Sequence, residues 1–162
     1  GLHPVDCDRV YGQLTVPGAP LLQDLVAAFG QEIIKDGALD RKTLAAKAFA
    51  TPAATEKLDQ VTHPAVLDAC VQQAKIPAVL DAPQLFESGA DAMCAYTLAV
   101  TAPEDTRLAR IMERDGIDRA AARLRMQAQP AADFYTEKCT FTITNDGRDI
   151  KSQVDRILEA IL

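Results

Sequence analysis

The chain has no excess of basic residues, no apolar run long enough to cross a bilayer, and no cysteine or histidine spacing of the kind that holds a metal. Each absence removes a class of protein. Seventeen Lys and Arg stand against twenty-three Asp and Glu, a net charge of -6 over 162 residues, whereas a general binder of nucleic acid or of an anionic membrane surface needs the opposite balance. An anionic ligand must then be met by a local cluster. A membrane-spanning helix takes about 20 consecutive apolar residues, and the opening GLHPVDCD has neither the charged nor the apolar region of a secretory signal. The four cysteines (Cys7, Cys70, Cys94, Cys139) are widely scattered, with no C-x-x-C pair and no histidine at ligand spacing. Neither a disulfide framework nor a zinc centre is expected, and a reducing cytoplasm is the expected setting. Internal repeats and low-complexity tracts are also lacking.

What is present suits a single α/β domain. Hydrophobic residues make up 48% of the chain and charged ones 25%, ordinary for a packed globular domain. KIPAVLDAPQLFE holds a short apolar run ending in Asp81, which reads as a strand buried on both faces; AYTLAV (95–100) and CTFTIT (139–144) read as two more. Helical patterns lie between them. LLQDLVAAFGQEII spaces its apolar residues on one face, DRKTLAAKAF follows a turn at Asp36-Gly37 with Asp40 as cap, and PAATEKLDQVTH is followed by a separate helix opened by Pro64. Beyond the second strand come a helix capped by Thr101 and closed by Gly116, another over IDRAAARLRMQAQ halted at Pro130, and the amphipathic DIKSQVDRILEAIL. Strands alternating with helices predict a parallel sheet, with the helices of 21–74 as a lobe between early strands.

Three features could carry chemistry. In VDCD, Asp6 and Asp8 are two apart; on a strand end their carboxylates share a side, where one could take a hydroxyl proton or help hold Mg²⁺, and in a solvated turn they would do neither. Six of the ten arginines lie within Arg107–Arg125, a density that suits a phosphate-rich ligand or, equally, a solvated helix paired at i to i+4 spacings with Glu104, Asp105, Glu113 and Asp115. Asp81, at a strand's carboxyl end, either orients Mg²⁺ beside phosphates or caps the turn at Pro83. His63, just before Pro64, reads by default as a packing or capping residue.

Taken in order, VDCDRVYGQLTVPGAPLLQDLVAAFG, DGALDRKTLAAKAF, THPAV, LDAPQLFESG, RLARIMERDGIDRAAARLRMQAQ and FTITNDG resemble successive segments of the dephospho-CoA kinases, P-loop kinases of coenzyme A biosynthesis. The resemblance covers nearly the whole chain. It implies a P-loop kinase-like three-layer α/β/α fold over 1–162, a helical substrate lobe over 18–74 and an arginine-rich lid over 107–130. It implies transfer of the γ-phosphoryl group of ATP, with Mg²⁺, to the ribose 3'-hydroxyl of dephospho-CoA. By the same resemblance Asp8 is the base or hydroxyl-orienting acid and Arg110 the charge partner of the transferring phosphoryl. Arg41 and His63 belong to the acceptor site, Asp81 to the Mg²⁺ neighbourhood, Arg114 and Arg125 to the lid's nucleotide contacts, and Asn145 to the adenine pocket. The implied partners are small molecules, with no nucleic acid and no membrane.

The chain departs from that pattern in three places. The family's G-x-x-x-x-G-K-S/T loop, whose amides and lysine hold the ATP phosphates, is not in the sequence, and the expectation is that roughly 25 residues carrying a first strand, the loop and part of a helix precede Gly1. Without that loop, poor ATP binding is expected. The connection from His63 to Asp81 is several residues short, and Gln84 stands where the family has leucine. Two other readings remain: a haloacid dehalogenase-type phosphatase using the first aspartate of D-x-D as nucleophile, which leaves the arginines without a use, and a non-catalytic CoA-binding protein.

Overall fold

The computed structural model describes residues 1–127 and 129–161. Ala128, inside the expected lid, and Leu162, at the end of the expected last helix, lie outside the described residues. By contacts the chain divides into two units, Gly1–Ala92 and Met93–Leu162, and each is described by itself.

In the first unit, β1 (His3–Asp6) pairs in parallel with β4 (Ala78–Asp81), in the register His3 to Ala78 through Asp6 to Asp81. Pro4 fits in β1 because successive amides point to opposite sides. His3 N–H donates to the Pro77 carbonyl at 2.9 Å, so the amide that Pro4 lacks would point away from β4. A parallel pair needs a crossover, and here it is helical: α1 (Cys7–Leu14), α2 (Pro20–Phe29), α3 (Arg41–Ala48) and α4 (Pro52–Gln73). A two-stranded hairpin, β2 (Ile34–Lys35) and β3 (Ala38–Leu39), interrupts them. Its Asp36-Gly37 turn has φ of 52° and 79°, and two positive φ values in succession make the turn type that matches strand twist.

Two apolar clusters hold this unit. Leu21, Leu25, Phe29, Ile33, Leu44 and Ala48 pack α2 and α3 together, and Val5, Cys7, Val10 and Cys70 pack β1 and α1 against α4. Leu25 and Ile33 are fully buried, each stabilising the fold by about 2 kcal/mol relative to exposure. The α3 helix starts where expected, with Asp40 accepting from Lys42 N (3.0 Å) and Thr43 N (3.3 Å).

Two expectations are corrected here. Pro64 does not open a new helix: α4 runs unbroken through it for 22 residues, about 33 Å. A proline inside a helix removes one hydrogen bond and crowds the carbonyl four residues back. Packing of α4 along α1, α2 and α3 offsets that cost. Nor is β4 buried on both faces, since Val79 is 45% exposed and Asp81 is exposed with it. The strand alternates, one side turned to the helices and the other left open among the described residues.

In the second unit, β5 (Leu98–Thr101) pairs in parallel with β6 (Phe141–Thr144). Between them come α5 (Glu104–Asp115), α6 (Arg119–Gln127) and α7 (Ala132–Lys138), and α8 (Ile150–Ile161) comes after β6. Thr101 does not cap α5. It ends β5, where its hydroxyl donates to the Ile143 carbonyl at 3.2 Å, and Pro103 stands at the N-cap without a side-chain bond. Gly116 closes α5 as expected, in the left-handed region with φ 63° and its N–H on the Met112 carbonyl at 3.0 Å.

Candidate active site

In the first unit the D-x-D pair straddles a strand-helix junction. Asp6 ends β1 and caps α1, its carboxylate accepting Arg9 N at 2.9 Å. Asp8 lies in the first turn of α1, exposed and at the end of the helix where a negative charge is favoured. The two carboxylates therefore do different things, and neither the strand-end nor the plain-turn description fits: Asp6 is spent on the backbone while Asp8 is free to face solvent or substrate.

Asp81 joins them from the neighbouring strand. The Cys7 thiol between them is pushed up to about 12, first by burial, then by Cys70, whose Sγ lies 3.5 Å away, and also by the negative charges of Asp8 and Asp81. Asp81 is the last paired residue of β4.

Arg41, the first residue of α3, lays its guanidinium 5.3 Å from the centre of the Tyr11 ring, three residues along α1 from Asp8. His63 sits midway along α4 with its side chain 18% exposed, and its Nε2 meets Gln84 Oε1 at 3.2 Å and Asp59 at 3.5 Å. Donor and acceptor roles between His63 and Gln84 depend on the imidazole tautomer. Sequence reading missed Gln84 as a partner of His63; the signal was its place in a position where the resembling family has leucine.

In the second unit the arginines are arranged across a helix pair. Arg119 of α6 reaches Asp105 at 2.7 Å, Arg123 reaches Glu104 at 3.6 Å, and Arg125 pairs with Asp115. The expected i to i+4 pairing within one helix is not what the described residues show: acids at both ends of α5 hold arginines of α6. Arg114 forks onto Asp115 with bonds of 2.8 and 3.0 Å. Arg107 and Arg110 pair with no acid among the described residues. Arg107 reaches the Gln129 amide at 3.5 Å and borders an open cleft of about 600 Å³ with Glu104, Arg123 and Met126.

Arg110 donates instead to Asn145 Oδ1 at 3.1 Å. Asn145 comes directly after β6, its own N–H on the Thr101 carbonyl at 2.7 Å. Gln153 of α8 clasps the residue before it, accepting from Thr144 N at 2.9 Å and donating to Thr144 O at 3.2 Å. Asn145 is thus held at the carboxyl ends of two parallel strands, the place where α/β sheets bind ligands. Of the candidate residues, contacts join Arg110 to Asn145 and link Arg114 with Arg125 through Asp115, while Arg41 contacts Tyr11 and His63 contacts Gln84 and Asp59.

A profile of the family described as dephospho-CoA kinase matches residues 1–151. A dephospho-CoA kinase of Anaeromyxobacter dehalogenans is 36% identical over 98% of this chain and 80% of its own length. One from Syntrophotalea carbinolica is 37% identical over 91% of this chain and 74% of its own. Among solved structures, a Thermus thermophilus protein superposes with a TM-score of 0.78 at 28% identity, covering 99% of this chain and 83% of that one. The dephospho-CoA kinase of Campylobacter jejuni gives 0.63 at 24% identity, a likeness of fold over 99% of this chain and 84% of that one. The expected P-loop kinase-like α/β class stands, and the phosphatase and non-catalytic readings are not favoured. The chain belongs to the dephospho-CoA kinase family, kinases of the final step of coenzyme A biosynthesis.

Proposed function

We propose that Asp8, Arg41 and His63 act on dephospho-CoA and that Arg110, Arg114, Arg125 and Asn145 act on ATP. Asp8 accepts or orients the proton of the ribose 3'-hydroxyl. It suits that work because it is exposed in the first turn of a helix and not committed to capping, as Asp6 is. Arg41 and His63 hold the acceptor's anionic and hydroxyl groups, Arg41 steadied against Tyr11 and His63 against Gln84.

On the donor side, Arg114 and Arg125 hold phosphate oxygens and Asn145 reads the adenine. Arg110 meets the charge that builds on the transferring phosphoryl. Phosphoryl transfer asks for alignment and charge neutralisation more than covalent help, and arginine supplies both through its planar fork.

For Mg²⁺ the fit is tested on the acids present. Among the described residues no group of three or more acids, His or Cys could enclose a metal, but this ion keeps its waters and takes one or two carboxylates together with substrate phosphates. Exposed Asp81 fits that modest demand. When bound, the ion supplies neutralising charge to the phosphates.

The partners are therefore ATP and dephospho-CoA, and the setting proposed is the cytoplasm. A net charge of -6 speaks against nucleic acid as a partner, and no described helix is long and apolar enough to cross a membrane. The observation that carries the reading is the register that sets Asp6 opposite Asp81 at the carboxyl ends of β1 and β4, with Asp8 in the first turn of the helix that follows β1. Its test is the formation of CoA by the full-length protein from ATP, Mg²⁺ and dephospho-CoA; release of phosphate from simple esters with no CoA formed would contradict it.

A further inference from the structure

Asp115 is the last residue of α5, and the roles assigned above make no use of it. The carbonyl end of a helix carries partial negative charge, so an aspartate there is opposed by its own helix, where lysine or arginine would be favoured. It is also drawn largely out of water, its side chain 15% exposed against 72% for Arg114 and 56% for Arg125. A residue that breaks a local rule in this way marks a functional or strained position.

Two guanidinium groups offset the conflict. Arg114 Nε and Nη2 each donate to one carboxylate oxygen, at 2.8 and 3.0 Å, and Arg125 reaches across from α6 to the second of those oxygens. Two cations held side by side repel one another. A single carboxylate between them neutralises that repulsion and fixes both forks, leaving one net positive charge. The carboxyl is kept below the ordinary carboxylate range, first by its bonds from Arg114.

We infer that Asp115 is a positioning residue for the phosphoryl donor, holding Arg114 and Arg125 side by side so that both meet the phosphates of one nucleotide. The inference rests on the proposed assignment of those two arginines to ATP. A plain surface bridge joining α6 to α5 would add a little stability and leave nucleotide binding unchanged.

The test is steady-state kinetics of the full-length protein and of D115N, R125Q and the double variant, with ATP and dephospho-CoA varied in turn. D115N is expected to raise the KM for ATP about tenfold, the scale of one lost charged contact. The KM for dephospho-CoA should stay unchanged and the thermal midpoint within about 2 °C. The double variant should lose less than the sum of the two single losses, because Asp115 acts in part through Arg125, and D115E, which keeps the charge, should recover most of the loss. An ATP KM that D115N leaves unmoved, or effects of the two changes that simply add, would overturn the inference. R125Q breaks the same contact from its exposed side, so an unmoved ATP KM in R125Q overturns it whether or not D115N folds. A wild-type protein that forms no CoA removes the functional reading together with this inference, whereas an active wild type in which R125Q responds and D115N does not removes this inference alone, and an unresponsive R125Q also removes the phosphate role given to Arg125.

Discussion

Asp6 and Asp81 stand opposite each other as the last paired residues of the parallel strands β1 and β4. The pairing brings two acids 75 positions apart in the chain to one sheet edge, and the path of the backbone beyond each residue separates their uses. Asp6 turns at once into α1 and caps it. Asp81 enters a loop and keeps its carboxylate exposed. Asp8 then becomes the acid of the D-x-D segment that is free to meet a hydroxyl.

Arg110 and Asn145 are coupled by a 3.1 Å bond. Arg110→Ala is expected to lower turnover by about 10²-fold or more, the scale of a lost transition-state charge partner. Asn145→Ala, which frees Arg110 from its anchor and, on the proposed reading, removes the adenine contact, should act chiefly on the KM for ATP. Initial rates at varied ATP separate the two outcomes, and full turnover in Arg110→Ala would remove the role given to that residue.

Pro64 lies within α4 and is exposed, so its ring contributes little packing to set against the helix bond it removes. Pro64→Ala is expected to stabilise the protein by about 1–3 kcal/mol. Urea unfolding followed by circular dichroism measures this as a higher midpoint at unchanged slope. A lower midpoint would mean that the proline is favoured for its rigidity in the unfolded chain.

The Asp40 cap predicts a pH dependence. Its carboxyl is held below the ordinary value of 3.8, first by the Thr43 hydroxyl and then by backbone N–H groups. A group whose pKa falls on folding stabilises the native state above its unfolded pKa, and the contribution is lost as pH falls through the folded value. Asp40→Ala should therefore lower the thermal midpoint at neutral pH and narrow its gap from wild type below about pH 3.8. A gap that is constant with pH would contradict the charge-assisted cap.

Much of the fold was legible where the signals were local. The β4, β5 and β6 runs, the Asp40 cap of α3, the Asp36-Gly37 turn and the Gly116 end of α5 each arise from residues within a few positions of the feature. What stayed hidden depends on partners far along the chain. HPVD looks like a turn because of Pro4, and it is a strand only because β4 offers an edge that does not need the missing amide. The continuity of α4 through Pro64 comes from the helices beside it, against the local rule. The α7 helix, seven residues carrying the edge-on pair Phe134 and Tyr135, is too short for a helical period to declare itself. For the site, residue types and spacing pointed to Asp8, Asp81 and the arginine cluster, while the roles of Arg41, His63 and Asn145 came from family resemblance. Gln84 beside His63, and the crossing of ion pairs from α5 to α6, needed coordinates.

The most direct measurement is CoA formation by the full-length protein and its Asp8→Asn variant, with ATP, Mg²⁺ and dephospho-CoA all saturating. The account predicts that the wild type forms CoA and that the variant, folded and still binding ATP, turns over at least about 10²-fold more slowly. A variant that forms CoA at the wild-type rate would contradict it.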